Sequence, residues 1–343
     1  MYRNVLCLVL GLVIGIRLTD LFDYLRLTDS RDYALTQAPA ATPQVHTETK
    51  TETEADIAAW LFNETRVLCL VLTIPQWHHR KAAKVKNTWG SRCNKLIFLS
   101  SEEDKELGAI DVGVPEDRKN LYAKVRAGFA YAYKHHGEDY DWFLKADDDT
   151  FIIMENLRYF LYPYDPEAAL YFGHKFHTDF PQGYMSGGAG YVLSRDALRR
   201  LNLFALNNTR FCPENTLSED RQIGNCLRNV GVVAGDSRDE EGQERFLPLS
   251  PKHLVPHFPT TGWLSGFVFY KPTETCCSTT AISYHYVKDF EFEIYEYLLY
   301  RLRVFGIPVP LQKLPPRLGF REMHSLLRYW SQVVSDNLEK PGA

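Results

Sequence analysis

Trp142-Phe143-Leu144-Lys145-Ala146 runs directly into Asp147-Asp148-Asp149-Thr150. The first five residues read as a strand buried in a sheet, and three carboxylates follow at once. Like charges this close repel each other, so the cluster calls for a cation. Hard oxygen donors suit Mg²⁺ or Mn²⁺, ions that commonly hold a substrate diphosphate. The spaced pair Asp147 and Asp149 is therefore the candidate metal and nucleotide-sugar site. The alternative is an acidic turn that caps the helix starting near Ile153, for which one Asp would be enough.

Outward from this point the chain alternates between two kinds of segment. Residues 67–74 and 95–100 are short apolar runs, and 141–146 is the strand already described. Residues 79–89 are basic with a helical look, and 153–161 look helical too. In 120–136, Leu121, Val125, Phe129 and Tyr133 share one helical stripe. Strand, helix, strand, helix, strand predicts an α/β fold with a mostly parallel central sheet flanked by helices. Ligands on such sheets gather at the carboxyl ends of the strands, where Asp147 to Asp149 fall. No G-x-G-x-x-G follows the first strand and no Walker sequence occurs, so dinucleotide and P-loop readings lose their usual support.

The chain has 343 residues, 45% of them hydrophobic and 13% aromatic, which suits one large core plus appendages. A net charge of −4 makes no case for nucleic-acid binding. Residues 5–16 carry no charge and follow Arg3, while Leu18, Leu21 and Phe22 extend the run past Arg17 without a small-x-small cleavage site. This reads as a signal anchor over 5–22, with a cytoplasmic tail at 1–4 and the bulk of the chain lumenal. A cleaved signal and a buried soluble helix are the alternatives. Residues 29–56 are rich in Thr, Ala, Gln, Pro and Glu, so 23–65 is expected to be a lumenal stem. A catalytic domain is expected over 66–315, and a C-terminal tail with an amphipathic pattern over 316–343.

Cys7 lies in the anchor; Cys69, Cys93, Cys212, Cys226, Cys276 and Cys277 form an even set, as in an oxidising compartment. Cys212 and Cys226 are near enough to close a loop, and Cys276 and Cys277 pair with each other or elsewhere. No C-x-x-C pair points to zinc. Asn63-Glu64-Thr65 and Asn207-Asn208-Thr209 are candidate N-glycosylation sites.

Three further places carry candidate chemistry. Residues 183–190 are dense in glycine, which lets a sugar approach the backbone or simply bends the chain before a strand. Ser218-Glu219-Asp220 precedes a helical segment at 221–230; capping explains one acid, and sugar transfer needs a carboxylate to take a proton, a task open to Asp220. His285 lies in the alternating Tyr284-His285-Tyr286-Val287, which reads as a strand; a lone histidine is commonly structural, yet a neutral imidazole completes Asp-based Mn²⁺ sites. Lys145, Arg80 and Lys124 are candidates to counter phosphate charge.

Taken together, residues 66–308 resemble the core 1 β1,3-galactosyltransferases, within the Fringe-like group of inverting transferases. The likeness rests on Lys84-Val85-Lys86-Asn87-Thr88-Trp89, Arg92-Cys93-Asn94-Lys95, 141–150, 182–193, Ser218-Glu219-Asp220, 234–239, Cys276-Cys277-Ser278 and His285-Tyr286-Val287, in order. The resemblance implies a GT-A fold, a type II anchor in the Golgi membrane, UDP-galactose as donor and the 3-hydroxyl of GalNAc α-linked to Ser or Thr as acceptor. It makes Asp147, Asp149 and His285 the ligands of Mn²⁺, with Mg²⁺ as the alternative ion, and Asp220 the general base. Asp147, Asp148, Lys124 and Arg80 become nucleotide-sugar contacts, and Trp263, Glu219 and Tyr286 acceptor contacts. Pairs Cys69–Cys93, Cys212–Cys226 and Cys276–Cys277 are consistent with the family, as is a homodimer. Where the family carries a denser run of Trp and Tyr, this chain reads Thr261-Gly262-Trp263-Leu264-Ser265-Gly266-Phe267. The rivals are a β1,3-transferase with another donor or acceptor, a transferase-like chaperone without catalysis, and a lumenal sugar-binding protein.

Overall fold

Residues 53–213, 218–259, 262–305 and 313–335 are described by the computed structural model; the expected anchor and most of the stem lie outside them. Among the described residues no helix is long and apolar enough to cross a membrane.

The end of the expected stem is a helix, α1 (Glu54–Glu64). Thr53 and Asp56 form a reciprocal capping box at its start, each side chain accepting from the other's backbone N–H. Leu61 is buried, and Trp60 meets Tyr162 edge-on at 5.3 Å. Helix α1 thus lies ahead of residue 66, where the catalytic domain is expected to begin, and it buries Leu61 while Trp60 and Phe62 stay exposed.

The central sheet uses β1 (Val67–Leu72), β2 (Lys95–Ser100), β3 (Ala109–Asp111), β4 (Trp142–Asp147), β6 (Leu170–Gly173), β9 (Tyr191–Ser194) and β10 (Val233–Ala234). Their order is β10-β6-β9-β4-β1-β2-β3. β1 pairs in parallel with β2 and β4, β2 with β3, and β10 with β6, while β9 runs antiparallel to both of its neighbours. The sheet is thus mostly parallel, as expected. Three short strands, β5 (Phe151–Ile152), β11 (Phe246–Leu247) and β12 (Ser283–Tyr284), form a second sheet in the order β11-β12-β5. β7 (Lys175–Phe176) and β8 (Tyr184–Met185) form a separate pair.

Alternation along β1 places Val67, Cys69 and Val71 in one apolar cluster and Leu68, Leu70 and Leu72 in another, so the strand is buried on both faces. Helix α2 (Leu121–His136) covers the second face with Val125, Phe129 and Ala132. Helix α3 (Met154–Leu161) covers the first with Met154, Leu157 and Leu161. Helix α4 (Glu219–Asn229) follows, beginning two residues before the expected 221. Next comes α5 (Glu291–Tyr300), and then α6 (Phe320–Gln332), whose Met323 and Trp330 are buried in the first cluster. Trp330 meets the Phe172 ring at 5.7 Å and Tyr164 at 6.0 Å. Residues 320–332 are therefore part of the core and not a separate tail; burying a tryptophan face outweighs leaving the helix in solvent.

Among the described residues the disulfides are Cys69–Cys93, Cys212–Cys226 and Cys276–Cys277, matching the pairs that the resemblance implied. Trp330→Ala is expected to cost about 3–5 kcal/mol, a fall in Tm of roughly 5–15 °C by calorimetry. An unchanged Tm would return 316–343 to the status of an appendage.

Candidate active site

Asp147 is the last residue of β4 and pairs with Leu72 of β1, so the acidic cluster opens at the carboxyl end of the parallel strands. The chain turns at once into β5, and β12 pairs antiparallel with it through Ser283↔Ile152 and Tyr284↔Phe151. That register carries His285 back to the acids, and the Val287 N–H donates to the Asp149 carbonyl at 2.9 Å. The strand expected over 284–287 stops at Tyr284, because Tyr286 takes a positive φ of 56° and breaks the extended run.

His285 Nε2 lies 3.4 Å from Asp149 Oδ1 and 4.0 Å from Asp147 Oδ2. One ligand atom from each of Asp147, Asp149 and His285 falls within 4.8 Å of the others. Two carboxylates and an imidazole, without a thiolate, fit a divalent ion such as Mn²⁺ or Mg²⁺. The acids do not cap α3, whose N-cap Ile153 makes no side-chain hydrogen bond. Asp148 instead accepts from the Thr73 hydroxyl at 2.8 Å, and burial pushes its carboxyl up to about 6. Burial also opposes ionisation of Asp149, yet His285 and Lys81 outweigh it and hold that carboxyl below the usual range.

The opposite wall is built on Lys145. Alternation along β4 puts it on the same face as Asp147. Its Nζ donates to Asp147 Oδ1 at 2.7 Å and to the Gly187 carbonyl at 3.0 Å, and lies 3.5 Å from Glu219 Oε2. Burial works against this ammonium, but Asp147 and Glu219 hold it protonated, well above the usual lysine range. Glu219 accepts from the Tyr191 hydroxyl at 2.7 Å, and burial pushes its carboxyl up to about 7. Asp220, in the first turn of α4, accepts from the Gly187 N–H at 2.9 Å through Oδ2 and from the Arg221 N–H through Oδ1. Ser218 makes no side-chain cap, so the capping reading does not account for this segment.

The glycine run works by close approach. A Cβ on Gly188 would lie 2.0 Å from His285 Cε1, and one on Gly187 would lie 2.9 Å from Glu219 Oε2. Only a bare backbone lets both walls come this close.

The three acids, Lys145, Gly187, Gly188, Glu219, Asp220 and His285 line one open cleft of about 1200 Å³. It also takes in Trp263, Phe267 and Tyr286, exposed at 55%, 45% and 50%, with Trp263 and Phe267 rings 6.2 Å apart. Trp263 and Phe267, the two aromatic residues of the 261–267 stretch, thus both present surface to the cleft. The two expected phosphate contacts, Arg80 and Lys124, both have protein partners in this structure. Arg80 is largely exposed and bonded to Asp289; like Lys81, it is not among the residues that line the cleft. Lys124 lines the cleft, but its ammonium is spent on Glu116 at 2.6 Å and on the Thr73 carbonyl. Besides Lys145, Lys81 lies beside the acids, 3.6 Å from Asp148 and 3.9 Å from Asp149. Arg80 and Lys81 both lie over the Trp77 ring, at 4.9 and 5.3 Å from its centre, and they part beyond it, Lys81 toward the acids and Arg80 toward Asp289. Sequence alone offers no signal for that parting. Asn63 and Asn207 are both exposed.

The Fringe-like family matches residues 63–238. The chain is 43% identical over 251 residues to glycoprotein-N-acetylgalactosamine 3-beta-galactosyltransferase 1 of Xenopus laevis, covering 72% of this chain and 69% of the relative. It is 27% identical over 169 residues to the beta-1,3-glucosyltransferase of Mus musculus, covering 48% of this chain and 34% of the relative. Among solved structures, the galactosyltransferase LgtC with donor and acceptor sugar analogues gives a TM-score of 0.40 at 12% identity, covering 69% of this chain and 97% of that one.

Gly188→Ala is expected to displace the His285 ring and weaken Mn²⁺ binding roughly 10- to 100-fold. Titration calorimetry with Mn²⁺ checks this; parent-like affinity would mean that His285 is not a ligand.

Proposed function

The chain belongs to the Fringe-like family, in its core 1 β1,3-galactosyltransferase branch, and from this premise we propose that it moves galactose from UDP-galactose to the 3-hydroxyl of GalNAc α-linked to Ser or Thr. The observation that carries the reading is the convergence of Asp147, Asp149 and His285 within 4.8 Å, in the same cleft that Asp220 lines.

The acids and the imidazole would hold Mn²⁺, with Mg²⁺ as the alternative. A bound ion there supplies positive charge against the departing UDP. Lys81 adds a second cation beside Asp148 and Asp149, in place of Arg80 and Lys124. Lys145 fixes Asp147 through one oxygen and leaves the other toward His285. Gly187 and Arg221 N–H groups orient the Asp220 carboxylate. Asp220 takes the proton as the acceptor hydroxyl oxygen attacks the anomeric carbon. The bond from that carbon to the UDP oxygen breaks with its electron pair, and a β link forms in one inverting displacement. Trp263 and Phe267 offer the rim on which acceptor sugar or peptide stacks. Residues 5–22 tether the enzyme in the Golgi membrane, and an oxidising lumen suits the disulfides.

The direct test is incubation of the chain with UDP-galactose, Mn²⁺ and a GalNAc-bearing peptide, read by mass. Gain of one hexose, lost on chelation and restored by Mn²⁺, is the expected result. Transfer only from another UDP-sugar would correct the donor; absence of metal-dependent UDP binding would leave the chaperone reading in its place. Asp220→Asn is expected to lower turnover by about 10²–10⁴-fold with UDP–Mn²⁺ affinity nearly unchanged by calorimetry. Lys81→Met is expected to weaken UDP binding roughly tenfold, while Arg80→Met leaves it alone; equal effects would remove Lys81 from the donor site.

A further inference from the structure

We propose that Tyr286 is a positioning residue that clamps the His285 imidazole, a role distinct from the acceptor contact that family resemblance assigns to it. The inference rests on the reading of Asp147, Asp149 and His285 as an ion-binding group.

Among the described residues Tyr286 is the one non-glycine with positive φ, at 56°. Bulky side chains avoid this region, and such outliers gather where the surroundings impose them. In an extended strand, successive side chains point to opposite faces, so Tyr286 could not lie on its neighbour's ring. The left-handed turn removes that alternation. The Tyr286 ring stacks on the His285 imidazole at 3.8 Å between centroids and 25° between planes.

The other face of the imidazole is covered too. Gly188 leaves no space there, since its absent Cβ would come within 2.0–2.5 Å of three ring atoms. The backbone on either side is pinned: the His285 N–H donates to the Leu247 carbonyl at 3.1 Å, and the Val287 N–H to the Asp149 carbonyl at 2.9 Å. The ring is thus held as a plate between a peptide and an aromatic, with Nε2 directed at Asp149. Groups that orient a ligating histidine commonly govern metal affinity as strongly as some ligands do. One face of Tyr286 is spent in this way, although half of the residue remains open to the cleft.

The test is Mn²⁺ titration of the full chain by calorimetry and water-proton relaxation, without donor or acceptor. Tyr286→Phe keeps the stack and should bind Mn²⁺ as the parent does. Tyr286→Gly fits the positive φ and should fold with an undiminished Tm, yet bind Mn²⁺ about 10- to 100-fold more weakly. Tyr286→Leu, which keeps bulk without a ring plane, should also lose affinity. Parent-like Mn²⁺ affinity in the Gly or Leu variant overturns the clamp, as does a raised acceptor KM with unchanged Mn²⁺ affinity. A parent chain that binds no Mn²⁺ overturns the ion-binding reading itself, and this inference with it.

Discussion

Mutual repulsion among Asp147, Asp148 and Asp149 is the constraint around which the cleft is arranged. Each carboxylate has its own partner. Asp147 is held by the buried ammonium of Lys145, Asp148 by the Thr73 hydroxyl with Lys81 nearby, and Asp149 by His285. The partners come from separated parts of the chain, so meeting the charge of one short segment draws β1, β4, the turn before β9, the start of α4 and the end of β12 to one place. Lys145 matters most in this respect. It joins the ion-binding wall to the turn that orients Asp220, through Asp147 on one side and Gly187 on the other.

The parts of this arrangement that depend on local pattern are legible in the sequence. β1 and β4 announce themselves as apolar runs because both faces are buried, and the acids at the end of β4 follow from a strand that stops where solvent begins. Asp220 at the head of a helix is legible as a position, though its task is not. What local pattern does not reveal depends on long-range pairing or on where a side chain ends. His285 reaches the acids through two-residue strands, too short to leave a periodic signature. Lys81 and Arg80 both lie over the Trp77 ring and part beyond it. For His285 the resemblance supplied what periodicity did not.

The domain edges show the same division. A composition rich in Thr and Glu reads as a stem, and it dominates up to the point where α1 begins; Leu61, the buried residue of 57–62, is a single position within that window. At the other end, the arginines of 317–328 suggest a solvated tail, while Met323 and Trp330 lie on one stripe and enter the core. A few large side chains decide burial here, and average composition conceals them.

The pairing of β12 with β5 also governs the order in which the molecule comes into being. A chain delivered from its N-terminus supplies β1, β2 and β4 early, so the acids stand at a sheet end long before His285 has emerged. During that interval Lys145, Thr73 and Lys81 are already at hand for Asp147 and Asp148, while Asp149 lacks the imidazole of His285. The group of Asp147, Asp149 and His285 is complete only when the last third of the polypeptide closes a long loop onto the two residues of β5.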